Sequence, residues 1–182
     1  MTVQPNIVLV HGAWADSGSW NGIIWRLQLA GYTVYTPPNP LRGVSDDSTY
    51  LADFLSTISG PIVLVGHSYG GFAITNAATG NPNVKALVYD DAYIAAQGDT
   101  LLGLTTAKPG SCLGAPNVPA WKAIPSWDII GTADNVLPPA EQLAMAQNAG
   151  ASITEINAPH LSMITNPGVV ASVIIQAARA TS

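Results

Sequence analysis

In the stretch Gly66-His67-Ser68-Tyr69-Gly70, a serine stands between two glycines, after the apolar run "IVLV" at 62–65 and before a run rich in small residues from Phe72. A serine passing from a buried strand to a helix in this way sits on a tight turn whose neighbours must be small. Such a turn presents the hydroxyl as a nucleophile. It also aims the Tyr69 N–H, at the helix N-terminus, toward the place where an oxyanion would form. The bland alternative is an ordinary serine in a glycine-softened turn, and the strand and helix on either side favour the nucleophile.

A serine hydroxyl needs a base, and the chain has three histidines. His11 follows the first apolar run directly, and His67 is adjacent to Ser68, so its side chain points elsewhere; both read as structural or supporting groups. His160, in "NAPHLSM", lies on a loop that can hang over the end of a sheet. The base in turn needs an acid to hold its tautomer and to stabilise the imidazolium. Asp134, in "IIGTADNVLPP", comes just past an expected strand. Asp90 and Asp91 also follow a strand and stay open as alternatives, whereas Asp128 falls too early, inside the strand. A second oxyanion donor is expected from the Ala13 N–H in "HGAW", where Gly12 permits close approach. Together these groups describe acyl transfer to water through an acyl-enzyme, with no cofactor. Three scattered histidines and one cysteine, Cys112, lack metal-ligand spacing, and no GxGxxG dinucleotide fingerprint is present.

The elements that must position these groups alternate between strand and helix. Residues 7–10 read as a strand buried on both faces, then Trp20, Ile23, Ile24 and Leu27 recur at helical spacing until Gly31. "YTVYTPP" from Tyr32 to Pro38 reads as the next strand. Ser45 to Ser48 is expected to cap a helix carrying Tyr50, Leu51, Phe54, Leu55 and Ile58. After "IVLV" and its helix, "VKALVYDD" at 84–91 is a fourth strand. Regularity resumes with "IPSWDIIG", a helix opened by Pro138-Pro139, the strand "SITEI", and a final helix opened by Asn166-Pro167. This rhythm predicts one α/β domain over residues 1–182, a mostly parallel sheet covered by helices on both faces.

The composition agrees. Apolar residues make up 48% of the 182, and charged residues only 9%, enough for a sizeable core. The net charge is −5, and no run of Lys or Arg tracks a phosphate backbone, so no nucleic-acid partner is expected. No apolar segment is long enough to span a membrane. The start "MTVQPNIVLVHG" lacks a signal-like pattern, so the expected location is the cytoplasm, with export through a removed signal as the alternative. The sequence leaves the oligomeric state open.

In "VLVHGAW", "GHSYGG" and the acid and histidine loops, the chain resembles the α/β-hydrolase fold superfamily over almost its whole length. It looks like the small esterases related to plant methyl-salicylate and methyl-jasmonate esterases and hydroxynitrile lyases, and like their bacterial relatives. The resemblance implies Ser68, Asp134 and His160 as a triad, with the Ala13 and Tyr69 amides as the oxyanion hole. It also marks a departure, because the helical cap of that group is here reduced to a short lid-like segment, 92–119. A reduced lid implies an open site suited to small esters, with Trp14, Tyr93, Leu101, Leu102, Trp121, Leu137, Met145 and Met163 as candidate pocket walls. The expected partners are a small ester and water. The same scaffold also hosts cyanohydrin lyases, perhydrolases, lipase-like enzymes and binding proteins, which stand as the alternatives.

Overall fold

The runs that are apolar without alternation become the strands at the middle of the sheet, since a strand covered on both faces has no side to give to water. In this computed structural model, which describes residues 3–99 and 118–182, they are β1 (Asn6–Val10), β3 (Ile62–His67), β4 (Val84–Asp90) and β5 (Ser126–Gly131). The edges are β2 (Val34–Tyr35) and β6 (Ser152–Ile156), both more exposed. The six strands among the described residues pair in parallel in the order β2-β1-β3-β4-β5-β6. The order reverses at β1, between β2 on one side and β3 on the other. In parallel sheets, such a reversal leaves a crevice at the carboxyl ends of the strands.

Helices α1 (Asn21–Leu29) and α6 (Pro167–Ala180) cover one face, where Ile23, Leu27, Val170 and Ile174 pack on Ile7, Leu9 and Val88. Helices α2 (Val44–Ser56), α3 (Gly70–Ala77) and α4 (Pro139–Ala149) cover the other, where Leu51, Leu55, Ile74 and Ala146 meet Val8, Leu64 and Leu87. Burying each such aliphatic side chain contributes about 1.5–3 kcal/mol. A short helix, α5 (Ser162–Thr165), follows the histidine loop. Among the described residues no helix is long and apolar enough to cross a membrane.

Two local expectations change. The strand expected over Tyr32 to Pro38 is only Val34–Tyr35, because two prolines and an exposed edge leave little to pair. The serines expected to cap α2 lie inside it. Gly43 is its N-cap, and the carboxylate of Asp47 accepts from the Arg42 and Gly43 amides at 2.9 and 3.3 Å instead. The lid-like segment 92–119 is described at its ends only. Ala92, Tyr93, Ile94 and Ala95 are buried, and the Trp121 indole N–H donates to the Ala95 carbonyl at 2.8 Å, joining the two ends. Leu101 and Leu102 lie outside the described residues.

Candidate active site

Ser68 occupies the junction between β3 and α3 with φ at +51°, a left-handed conformation that costs a non-glycine residue about 1 kcal/mol or more and needs its surroundings to hold it. They do so through the backbone. The Ser68 N–H donates to the Asp90 carbonyl at 3.3 Å, and the Ser68 carbonyl accepts from Gly71 at 3.0 Å and Tyr93 at 3.3 Å. Gly66 is required by proximity, because a Cβ there would lie 2.8 Å from the Gly70 carbonyl carbon. A turn this tight lifts the hydroxyl out at the carboxyl end of the sheet.

The loops after β5 and β6 bring the other two groups to the same place. His160 Nε2 lies 2.9 Å from Ser68 Oγ, and His160 Nδ1 lies 2.7 Å from Asp134 Oδ2. Because a carboxylate only accepts, Nδ1 carries the proton donated to Asp134, and Nε2 is left to accept from the serine hydroxyl. Asp134 is held in turn. Its Oδ1 accepts from the Val136 and Leu137 amides at 2.7 and 3.0 Å, and its Oδ2 also accepts from the Gln142 amide at 2.9 Å. Burial alone would raise the Asp134 pKa, but the bonds from His160, Val136 and Leu137 outweigh it and hold the carboxyl below its ordinary value.

The histidines next to the strands bond to backbone groups. The His67 Nε2–H donates to the backbone carbonyl of His160 at 2.7 Å, and the two rings lie 4.9 Å apart. Burial pushes the His67 pKa down to about 4, so the ring is neutral near pH 7. The His11 Nδ1–H donates to the Gly12 carbonyl at 2.9 Å, and His11 Nε2 accepts from the Asn39 amide at 2.9 Å.

Asp90 and Asp91, open as alternatives to Asp134, bond to Ser162 and Gly131 rather than to His160. Asp128 is fully buried inside β5. The Ala13 and Tyr69 amides, on the loop after β1 and at the start of α3, donate to no backbone acceptor among the described residues. No cluster of three metal-ligating side chains occurs among the described residues.

A cavity of about 470 Å³ opens beside Ser68 and His160. Of the expected wall residues that the structure describes, only Trp14 lines it, wholly exposed. Tyr93 and Leu137 are instead buried with Tyr69 and Phe72, Met163 is buried on the α6 face, and Trp121 and Met145 pack on the core beneath α3 and α4. Large apolar residues in loops fill a core or line a pocket with the same composition, so type alone does not separate the two. The walls that sequence reasoning missed include Val136, Leu161 and Ile164, exposed apolar residues flanking Asp134 and His160. Their signal was adjacency to the acid and histidine loops.

The sequence pattern of the alpha/beta hydrolase family matches residues 7–111. A carbendazim hydrolyzing esterase of Nocardioides sp. (strain SG-4G) is 37% identical over 114 residues, 56% of this chain and 47% of that protein. A pyrethroid hydrolase of Sphingobium wenxiniae (strain DSM 21828 / CGMCC 1.7748 / JZ-1) is 34% identical over 112 residues, 55% of this chain and 40% of that protein. The matched stretch thus spans less than half the length of either relative. A crystal structure of a pyrethroid hydrolase superposes over 97% of this chain and 98% of its own with a TM-score of 0.81 at 20% identity, a likeness of fold. With a parallel sheet, a strained serine at the end of β3 and a family pattern covering more than half its length, the chain belongs to the alpha/beta hydrolase family.

Proposed function

We propose that the protein is a serine hydrolase that cleaves small, uncharged carboxylic esters through an acyl-enzyme. The observation that carries this reading is the hydrogen-bonded run from Ser68 Oγ through His160 to Asp134, with links of 2.9 and 2.7 Å. The two curated relatives, one named an esterase and the other a hydrolase, support it.

In this mechanism, Ser68 Oγ attacks the ester carbonyl carbon while His160 Nε2 takes the hydroxyl proton, and Asp134 stabilises the imidazolium so formed. The Ala13 and Tyr69 amides donate to the oxyanion. Collapse of the tetrahedral intermediate breaks the bond to the alcohol oxygen, which receives the proton from His160. Water then attacks the acyl-enzyme by the same route and regenerates Ser68. Among the described residues the cavity lining carries no Asp, Glu, Lys or Arg side chain, which suits neutral acyl and alcohol groups. Among the described lysines, Lys85 and Lys122 line no part of it, which weighs against a lyase that manages cyanide with a lysine.

The test is burst kinetics with p-nitrophenyl esters of graded acyl length on the intact protein and on Ser68→Ala and His160→Ala. A stoichiometric burst that both substitutions abolish, with turnover falling roughly 10⁴-fold or more, supports the acyl-enzyme route. Full activity in Ser68→Ala, or no turnover of any ester by the folded protein, overturns it.

A further inference from the structure

Sequence reasoning weighed Asp91 as a rival acid for the histidine, and the structure gives it a different place. Its carboxylate is buried between the acid loop and the histidine loop. Oδ1 accepts from the Gly131 N–H at 2.7 Å, and Oδ2 accepts from the Ser162 N–H at 3.1 Å. Gly131 ends β5, and its carbonyl accepts from the Asp134 N–H at 3.0 Å, which sets the turn that carries the acid. Ser162 opens α5, two residues beyond His160. Its hydroxyl donates to Asp90 Oδ1 at 2.5 Å, so the start of α5 is held by both neighbouring carboxyls.

Three further features point to a built arrangement. Asp91 has φ at +47°, a strained conformation, and its own N–H is fixed to the Ile129 carbonyl at 2.9 Å. Gly131 approaches so closely that a Cβ there would lie 2.7 Å from both Asp91 Oδ1 and the Ala158 carbonyl. The other ties on the histidine loop act upstream of Asp91's or on His160 itself. Ala133 N–H donates to the Ala158 carbonyl at 3.1 Å, and His67 donates to the His160 carbonyl. Without Asp91, the Ser162 hydroxyl bond to Asp90 and the packing of Met163 would be left to hold the segment just downstream of His160.

We propose that Asp91 is a positioning residue, a carboxylate clamp that sets the separation of the Asp134 and His160 loops and so the hydrogen bond between these two side chains. The proposal rests on the serine-hydrolase reading for its kinetic consequence, but its geometric consequence is independent of turnover. Asp91→Asn keeps the shape and turns one of the two acceptors into a donor facing a backbone N–H. The opposed donors push the loops apart, and the His160–Asp134 bond loosens. His160 then loses part of the carboxylate support for the imidazolium that forms during the reaction.

The test pairs proton NMR of the histidine ring N–H groups with steady-state kinetics on wild type and Asp91→Asn. With three histidines in the chain, the His160 Nδ1–H signal is assigned by comparison with His160→Ala. The expected result is a His160 Nδ1–H signal that moves upfield and exchanges faster with water, as its bond to Asp134 lengthens. In parallel, kcat drops roughly 10- to 100-fold at nearly constant KM. If Asp91→Asn does not fold, Asp91→Ala serves instead, since it removes both acceptors without adding a donor, and the same changes are expected. An unchanged His160 Nδ1–H signal in the folded variant overturns the proposal, even where activity falls, because a loss of folded protein scales the rate without moving the signal. A wild type that hydrolyses no ester, while the His160 Nδ1–H signal still moves in the variant, refutes the hydrolase reading and upholds the clamp.

Discussion

The Tyr69 hydroxyl donates to Asp47 Oδ2 at 2.6 Å, which ties the residue after the nucleophile to the N-terminus of α2. The same carboxylate accepts from the Arg42 and Gly43 amides, so one buried side chain caps a helix and anchors the turn that carries Ser68. Tyr69→Phe removes one donor and leaves the cap, and is expected to cost about 1–2 kcal/mol in chemical denaturation. Asp47→Ala removes cap and anchor together and is expected to cost more, about 2–4 kcal/mol. Equal losses in the two variants would separate the anchor from the cap and refute the shared role.

Ser68, Asp134 and His160 were legible because each follows a segment with strand character, the apolar run 62–65 for Ser68, "IPSWDIIG" for Asp134 and "SITEI" for His160. The alternation of strand and helix then puts all three at one sheet end. Asp47 was not legible in this role. The serines at 45 and 48 offered an ordinary cap, whereas the actual cap comes from inside the helix, where Asp47 reaches back to Arg42 and Gly43. The pocket walls were misread for a related reason. Tyr93 and Met163 look in sequence like lining residues, but the loops turn them inward, while Val136 and Leu161, modest in type, face the cavity. Turning inward is set by backbone contacts such as Tyr93 N–H to the Ser68 carbonyl, which carry no sequence pattern.

Asp128 is fully buried, and neither of its oxygens has a partner among the described residues. Burial, then the nearby Asp91 and Asp90 carboxyls, push its pKa well above the ordinary value. Above the unfolded value near 4 the native state therefore binds more protons than the unfolded chain, and stability falls as pH rises. Asp128→Asn removes this slope at its source. Its stability relative to wild type is expected to be smallest near pH 4 and to grow toward pH 7, as measured by urea denaturation at each pH. A difference independent of pH would mean that Asp128 titrates alike in the folded and unfolded states and would refute the upward shift. Asp90 and Asp91, also pushed upward by burial, leave a residual slope in the variant.

His67 acts in the opposite sense. Burial lowers its pKa from 6.5 to about 4, so between these values the unfolded chain binds the extra proton and stability is lost as pH falls. The shift corresponds to about 3 kcal/mol across that window. His67→Gln is expected to flatten the acid side of the stability curve while keeping a donor for the His160 carbonyl. In the wild type, the His67 ring signal is expected to stay neutral down to about pH 4 in an NMR titration. A His67 midpoint near 6.5 would refute both expectations.

Trp14 combines full exposure with φ at +57°, and it stands next to Ala13 at the mouth of the cavity. A bulky side chain in that conformation lowers stability, and nothing in the fold gains from its burial, so its value lies in what meets the ring. Trp14→Gly relieves the strain and is expected to raise stability by about 1 kcal/mol or less. Trp14→Ala removes a flat apolar surface beside Ser68, so KM for aryl esters is expected to rise about 5- to 10-fold, equivalent to about 1 kcal/mol of stacking. For short aliphatic esters, which are too small to reach the ring, KM is expected to change less than about twofold, and kcat stays close to wild type for both series because the ring contributes equally to ground and transition states. An equal rise in KM for both series would mean that Trp14 shapes the oxyanion loop rather than contacting the ester, and a drop in kcat at constant KM would place its effect on the Ala13 amide.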